Sequence, residues 1–102
     1  MTRKELTYRV KASVKSFDPQ ARVILFGSRA REDNDRTSDW DFLILTSKYV
    51  DEKAKRHIRD NLIDTELEAE EVISAIIFSQ DRWKDYGITP LYQNITKDGV
   101  EL

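Results

Sequence analysis

Cysteine is absent from the 102 residues of this chain, which excludes both a disulfide scaffold and a thiolate metal centre. Histidine is nearly as scarce. The single one, His57, stands among Arg56, Ile58 and Arg59 and reads as a solvent-facing helix residue rather than a catalytic base or metal ligand. No apolar run approaches the ~20 residues needed to span a bilayer, and Met1-Thr2-Arg3-Lys4-Glu5 leads into no segment of signal-peptide type, so the cytoplasm is the expected compartment. A surplus of charge is missing too. Seventeen Lys and Arg against nineteen Asp and Glu leave a net charge of −2, with a pI near 5.4. That balance gives no general attraction to a polynucleotide, so no stable nucleic-acid complex is expected, whereas small nucleotides that bring their own Mg²⁺ remain compatible. Repeats, low-complexity tracts and linker-like stretches are also lacking, and the length predicts a single domain over 1–102.

With only two prolines and three glycines, each is informative. Leu6, Val10, Val14 and Phe17 recur at helical spacing opposite Lys4, Glu5, Arg9, Lys11 and Lys15, an opening amphipathic helix that Asp18-Pro19 must end. Asp51-Glu52-Lys53-Ala54 opens a second helix with acids in its first turn; Ala54, Ile58 and Leu62 mark its inner face, to about Leu67. The acidic run from Asp64 to Glu71 reads as a solvated helix end and turn rather than a metal cluster. Val72 to Phe78 is apolar on both faces and predicts a buried strand. Ser79-Gln80-Asp81-Arg82 suits a helix start, with Trp83 as a core anchor, and Tyr86-Gly87 breaks that turn. Pro90 suits the first turn of a last helix, in which Leu91, Tyr92 and Ile95 face inward before Gly99 ends it. Strands alternating with helices predict an α/β domain, one small mixed sheet covered by helices.

The centre of this arrangement is Val23 to Thr46. Val23 to Phe26 is a short buried strand, and Gly27 follows where the backbone must turn tightly or approach a ligand. Ser28 is expected to cap a short helical turn, its hydroxyl and the free N–H groups behind it forming an anion site. Arg29-Ala30-Arg31-Glu32-Asp33-Asn34-Asp35-Arg36-Thr37 is too polar for core and reads as an exposed, mobile connection, in which Arg29 and Arg31 are either phosphate contacts or solvated loop charges. Beyond Ser38, Asp39-Trp40-Asp41-Phe42-Leu43-Ile44-Leu45 is β-rich, with Asp39 and Asp41 on one face and Trp40, Phe42 and Ile44 on the other. Two like charges side by side on a strand repel, and hard oxygen ligands suit Mg²⁺ bound together with substrate phosphates.

Gly27-Ser28, a ten-residue gap and Asp39-x-Asp41 before an apolar strand resemble the signature of the minimal nucleotidyltransferases, the smallest members of the DNA polymerase β-like superfamily. The likeness runs over nearly the whole chain, including the closing Lys97-Asp98-Gly99-Val100-Glu101-Leu102. It implies that the Gly27-Ser28 turn, next to the candidate phosphate contact Arg29, holds a nucleoside triphosphate and that Asp39 and Asp41 bind catalytic metal, Mg²⁺ of the two-metal type if the domain is active. The chain departs from the pattern twice. Glu32 stands where relatives more often have glycine. The third carboxylate, which in active members ligates metal and helps activate the acceptor hydroxyl, falls at Ser74, with Glu70 or Glu71 as distant substitutes.

Three functions follow. The resemblance implies an enzyme moving a nucleoside monophosphate from an NTP, with ATP favoured, to a hydroxyl, on a partner protein among other acceptors. The missing acid supports instead a non-catalytic nucleotide- or partner-binding module, such as the antitoxin of a helical HEPN-type toxin. The third reading is wholly structural, with Gly27-Ser28 a turn and the aspartates polar strand-start residues.

Overall fold

The computed structural model describes residues 1–33, 35 and 37–102. Helix α1 (Arg3–Phe17) starts at Thr2, whose hydroxyl accepts from the Glu5 amide, and stops at Asp18, the residue before Pro19. Strand β1 (Arg22–Phe26) leads into the one-turn helix α2 (Ser28–Arg31), and β2 (Trp40–Thr46) follows the polar connection, of which Asn34 and Arg36 lie outside the described residues. Helix α3 (Glu52–Ala69), capped by Asp51, carries the chain to β3 (Ile73–Ser79). The short α4 (Gln80–Trp83), a 3-10 turn at Lys84–Tyr86, α5 (Pro90–Asp98) and the two-residue β4 (Val100–Glu101) complete it. The boundaries move from the expected ones by one or two residues. Among the strands, β4 alone had no counterpart in the sequence pattern, which two residues are too few to show.

The four strands lie in the order β3-β2-β1-β4. β1 pairs antiparallel with β2 and with β4, while β2 and β3 are parallel, as the helical crossover through α3 requires. The sheet is mixed, as predicted. Alternation along the strands separates two cores. On one face Trp40, Phe42, Ile44, Val23 and Leu25 meet Leu6, Val10 and Val14 of α1 and Ile58 and Leu62 of α3, each such side chain contributing about 1.5–3 kcal/mol on burial. On the other, Ile24, Leu43 and Leu45 meet Trp83 and Ile95. Trp83 is a core anchor, stacked at 5.0 Å on Tyr92, and His57 is exposed, as the sequence implied.

Two expectations need correction. β3 lies at the sheet edge, so its residues are less buried than their apolarity suggested: Ile77 and Ser79 are buried, but Ser74 is exposed. Phe17 closes the α1 stripe only in sequence, being 38% exposed. Among the described residues no helix is long and apolar enough to cross a membrane.

Candidate functional site

Three segments converge at one end of the sheet: the end of β1 and the starts of β2 and β3. The register places Phe26 beside Asp41 and Asp41 beside Ser74. Register partners share a face, so Asp41 and Ser74 stand on the same side as Phe26, Leu43 and Ile76. This is the face that α4 and α5 cover. Their cover is incomplete: Ile24, Leu43 and Leu45 are buried, whereas Phe26, Asp41 and Ile76 are half-buried and Ser74 is exposed. An open patch of sheet is left beside Asp41.

Gly27 has φ 77° and ψ −160°, a region essentially restricted to glycine. A Cβ there would lie 2.6 Å from Asp41 Oδ2. Backbone strain and close approach thus coincide at one residue. Gly27 is also the N-cap of α2, its carbonyl accepting from the amides of Ala30 at 3.1 Å and Arg31 at 3.2 Å. This corrects the expected role of Ser28, which is the first residue of the turn and not its cap. Ser28 is half-buried, and its hydroxyl makes no hydrogen bond among the described residues.

Asp39 is exposed and just precedes β2, while Asp41 lies within it. The Asp41 carboxyl is held above the usual carboxylate range, first by burial and then by the charge of Asp39. No group of three or more Asp, Glu, His or Cys able to hold a metal occurs among the described residues. Ser74 does occupy the position beside Asp41. Of the two glutamates, Glu71 is paired with Arg29 at 3.3 Å, and Glu70 is the left-handed C-cap of α3, exposed.

Arg29 is not the solvated loop residue that one of the two expectations had it. It is buried, 9% exposed, with its guanidinium donating to the Ser38 carbonyl from Nε at 3.2 Å and Nη2 at 3.0 Å, and to Glu71 Oε2 at 3.3 Å. It also lies 4.5 Å above the Trp40 ring, on the face opposite Asp41. A solvated loop charge it is not, and its Nε and Nη2 donors are engaged within the protein. Arg31 is exposed and pairs with Asp33 at 3.1 Å and Asp98 at 3.7 Å. The polar connection is thus partly ordered by its own charges.

Sequence reasoning missed Ser38, and it named Glu71 only as a distant substitute for the third carboxylate, not as the partner of Arg29. Glu71 belonged to an acidic run read as solvated, and only its position outside α3, against the turn after β1, distinguishes it. Glu32, where glycine was the commoner residue among relatives, has φ 61° and is the left-handed C-cap of α2. The departure therefore falls where the backbone favours glycine.

A family model for the nucleotidyltransferase domain matches residues 8–97. No curated protein matches. Four solved chains do, among them one from a structure described as the crystal structure of a toxin-antitoxin with AMP-PNP. That chain is similar with a TM-score of 0.68 at 18% identity, over 92% of this chain and 69% of its own; at such identity the likeness is one of fold. With the family model taking in all but the ends, both arms of the Gly27-Ser28 and Asp39-Trp40-Asp41 motif included, the chain belongs to the nucleotidyltransferase domain family, in which it fits the minimal nucleotidyltransferases.

Proposed function

We propose that the domain binds a nucleoside triphosphate, ATP first among them, with Mg²⁺, and transfers the nucleoside monophosphate to a hydroxyl on a partner protein. The observation that carries this is the contact of Gly27 with Asp41: backbone suited to phosphate and a carboxylate suited to a cation lie against each other, so one polyphosphate can meet both. The donor set fits Mg²⁺. Asp39 and Asp41 repel in its absence, and Mg²⁺ usually takes one or two protein carboxylates and completes its shell with water and phosphate oxygens. With serine at position 74, the fit is to one ion rather than two. When bound, Mg²⁺ offsets phosphate charge and stabilises the departing pyrophosphate.

The chain's own residues do the rest. The Gly27-Ser28 backbone and the Ser28 hydroxyl hold the phosphates, and the open sheet patch at Phe26 and Ile76 admits the acceptor. A bond forms between the acceptor oxygen and the α-phosphorus as the bond to pyrophosphate breaks. The acceptor's proton passes to solvent, because a serine is no base at neutral pH, and a missing general base typically costs about 10² to 10⁴ in rate.

Ser74 favours a second reading. A site that binds nucleotide without turnover suits a partner-binding module, and the likeness to a toxin-antitoxin solved with AMP-PNP, an ATP analogue, supports a toxin as that partner, with a HEPN-type ribonuclease the first to try. Calorimetric titration with Mg²⁺ and ATP, followed by incubation with labelled ATP and the adjacent gene's product, separates the two. Mg²⁺-dependent binding with label transfer is expected. Binding without transfer selects the second reading, and no binding removes the first and leaves the second as partner binding alone.

A further inference from the structure

We propose that Arg29 is the positioning residue of this site, a single guanidinium that holds the Gly-Ser turn, the start of the Asp-bearing strand and the start of β3 in fixed relation. The inference rests on the nucleotide-binding reading of Gly27, Asp39 and Asp41. It concerns how those groups are held, not what they bind.

Each segment of the site reaches Arg29 by a separate contact. Its own backbone follows Ser28 directly, so the Gly27-Ser28 turn moves with it. Two donors converge on the Ser38 carbonyl, the peptide that precedes Asp39. Its guanidinium carbon lies over the ring of Trp40, the residue between the two aspartates, 4.5 Å from the centroid. The Glu71 carboxylate, three residues before Ser74, completes the set at 3.3 Å. A fourth element fixes the arginine itself, since Arg3 Nη1 of α1 donates to the Arg29 carbonyl at 2.5 Å. The guanidinium lies over Trp40 on the face that α1 and α3 cover, opposite Asp41 rather than beside it.

The geometry suits arginine and no other cation. A forked, planar group donates twice to one carbonyl, once to a carboxylate, and stacks on an indole; a lysine ammonium is a point charge that cannot do all of these. Buried at one end of the sheet, these contacts are made in a medium that strengthens them. Metal ligands displaced by ~1 Å lose affinity and rate steeply, so loosening the Ser38 peptide should be felt at Asp39 and Asp41 before any nucleotide is present.

The full-length protein with Arg29→Lys, and with the milder Glu71→Gln, tests this. Amide shifts in ¹H–¹⁵N spectra, taken without ligand, should move at Gly27, Asp39, Asp41 and Ser74 in both variants. Mn²⁺ affinity, read by electron paramagnetic resonance without nucleotide, should fall about 10-fold or more in Arg29→Lys while the protein stays folded. Shifts confined to the neighbours of each substitution, with Mn²⁺ binding unchanged, overturn the proposal. In that case a loss seen only with Mg²⁺ and ATP makes Arg29 a phosphate ligand. If the parent protein binds no Mn²⁺, the metal reading fails by itself, and the amide shifts alone decide whether Arg29 couples the three segments.

Discussion

Gly27 and Asp41 are fitted to each other: a Cβ on Gly27 would lie 2.6 Å from Asp41 Oδ2, a separation that real Cβ atoms essentially never show. The same residue has φ 77°, where L side chains are strained. Gly27→Ala should therefore cost about 1–3 kcal/mol of stability and displace the Asp41 carboxylate, weakening Mg²⁺-nucleotide binding by ~10-fold or more. Gly27→Val should abolish it. Calorimetry on variants shown to be folded by circular dichroism checks this, and parent-like affinity in Gly27→Val would reduce the turn to a structural one.

Asp41 gives a pH dependence of defined sign. Burial and Asp39 hold its carboxyl above the usual range, so the folded protein retains a proton that the unfolded chain gives up more readily. Its contribution to stability is thus fully present below the unfolded pKa and is lost as pH rises through the folded one. Asp41→Asn should remove that loss and raise stability at pH 7 by a few tenths to about 1 kcal/mol without Mg²⁺, while weakening Mg²⁺-nucleotide binding. Asp39→Asn should weaken that binding too. Melting curves from pH 4 to 8, with and without Mg²⁺, would expose the opposite trend.

Ser74 stands beside Asp41 in the parallel register, so Ser74→Asp places a third carboxylate on the same face. Nucleotidyl transfer should rise by about 10² or more. The variant should melt lower than the parent without Mg²⁺ and recover when Mg²⁺ and nucleotide bind. Equal melting temperatures under both conditions, together with unchanged transfer, would sink the assignment of this position.

Glu32 occupies a left-handed position, φ 61° and ψ 25°, at the end of α2. A non-glycine residue there costs roughly 1 kcal/mol or more. Glu32→Gly should stabilise the protein by about 0.5–1 kcal/mol, part of the strain relief being offset by the freer unfolded chain. Denaturant titration reads the shift. An unchanged midpoint would mean that the turn relaxes to accommodate the glutamate.

Local pattern alone determined the elements and the candidate residues: the stripe Leu6, Val10, Val14, the break at Pro19, the apolar strands and the paired aspartates are each readable because periodicity and backbone restriction act over a few residues. The register of Ser74 against Asp41 was foreseen only through resemblance, since nothing local says which residues of two strands lie side by side. The edge position of β3 was hidden for a similar reason. Apolarity on both faces reports burial above and below a strand, not whether a neighbour bonds its outer side. Most of all, the tertiary structure decided Arg29. Its fate depends on a carbonyl nine residues away, an indole and a carboxylate 42 residues away, and a charge beside a Gly-Ser turn looks the same in sequence whether it will face solvent or be buried against the neighbouring strand.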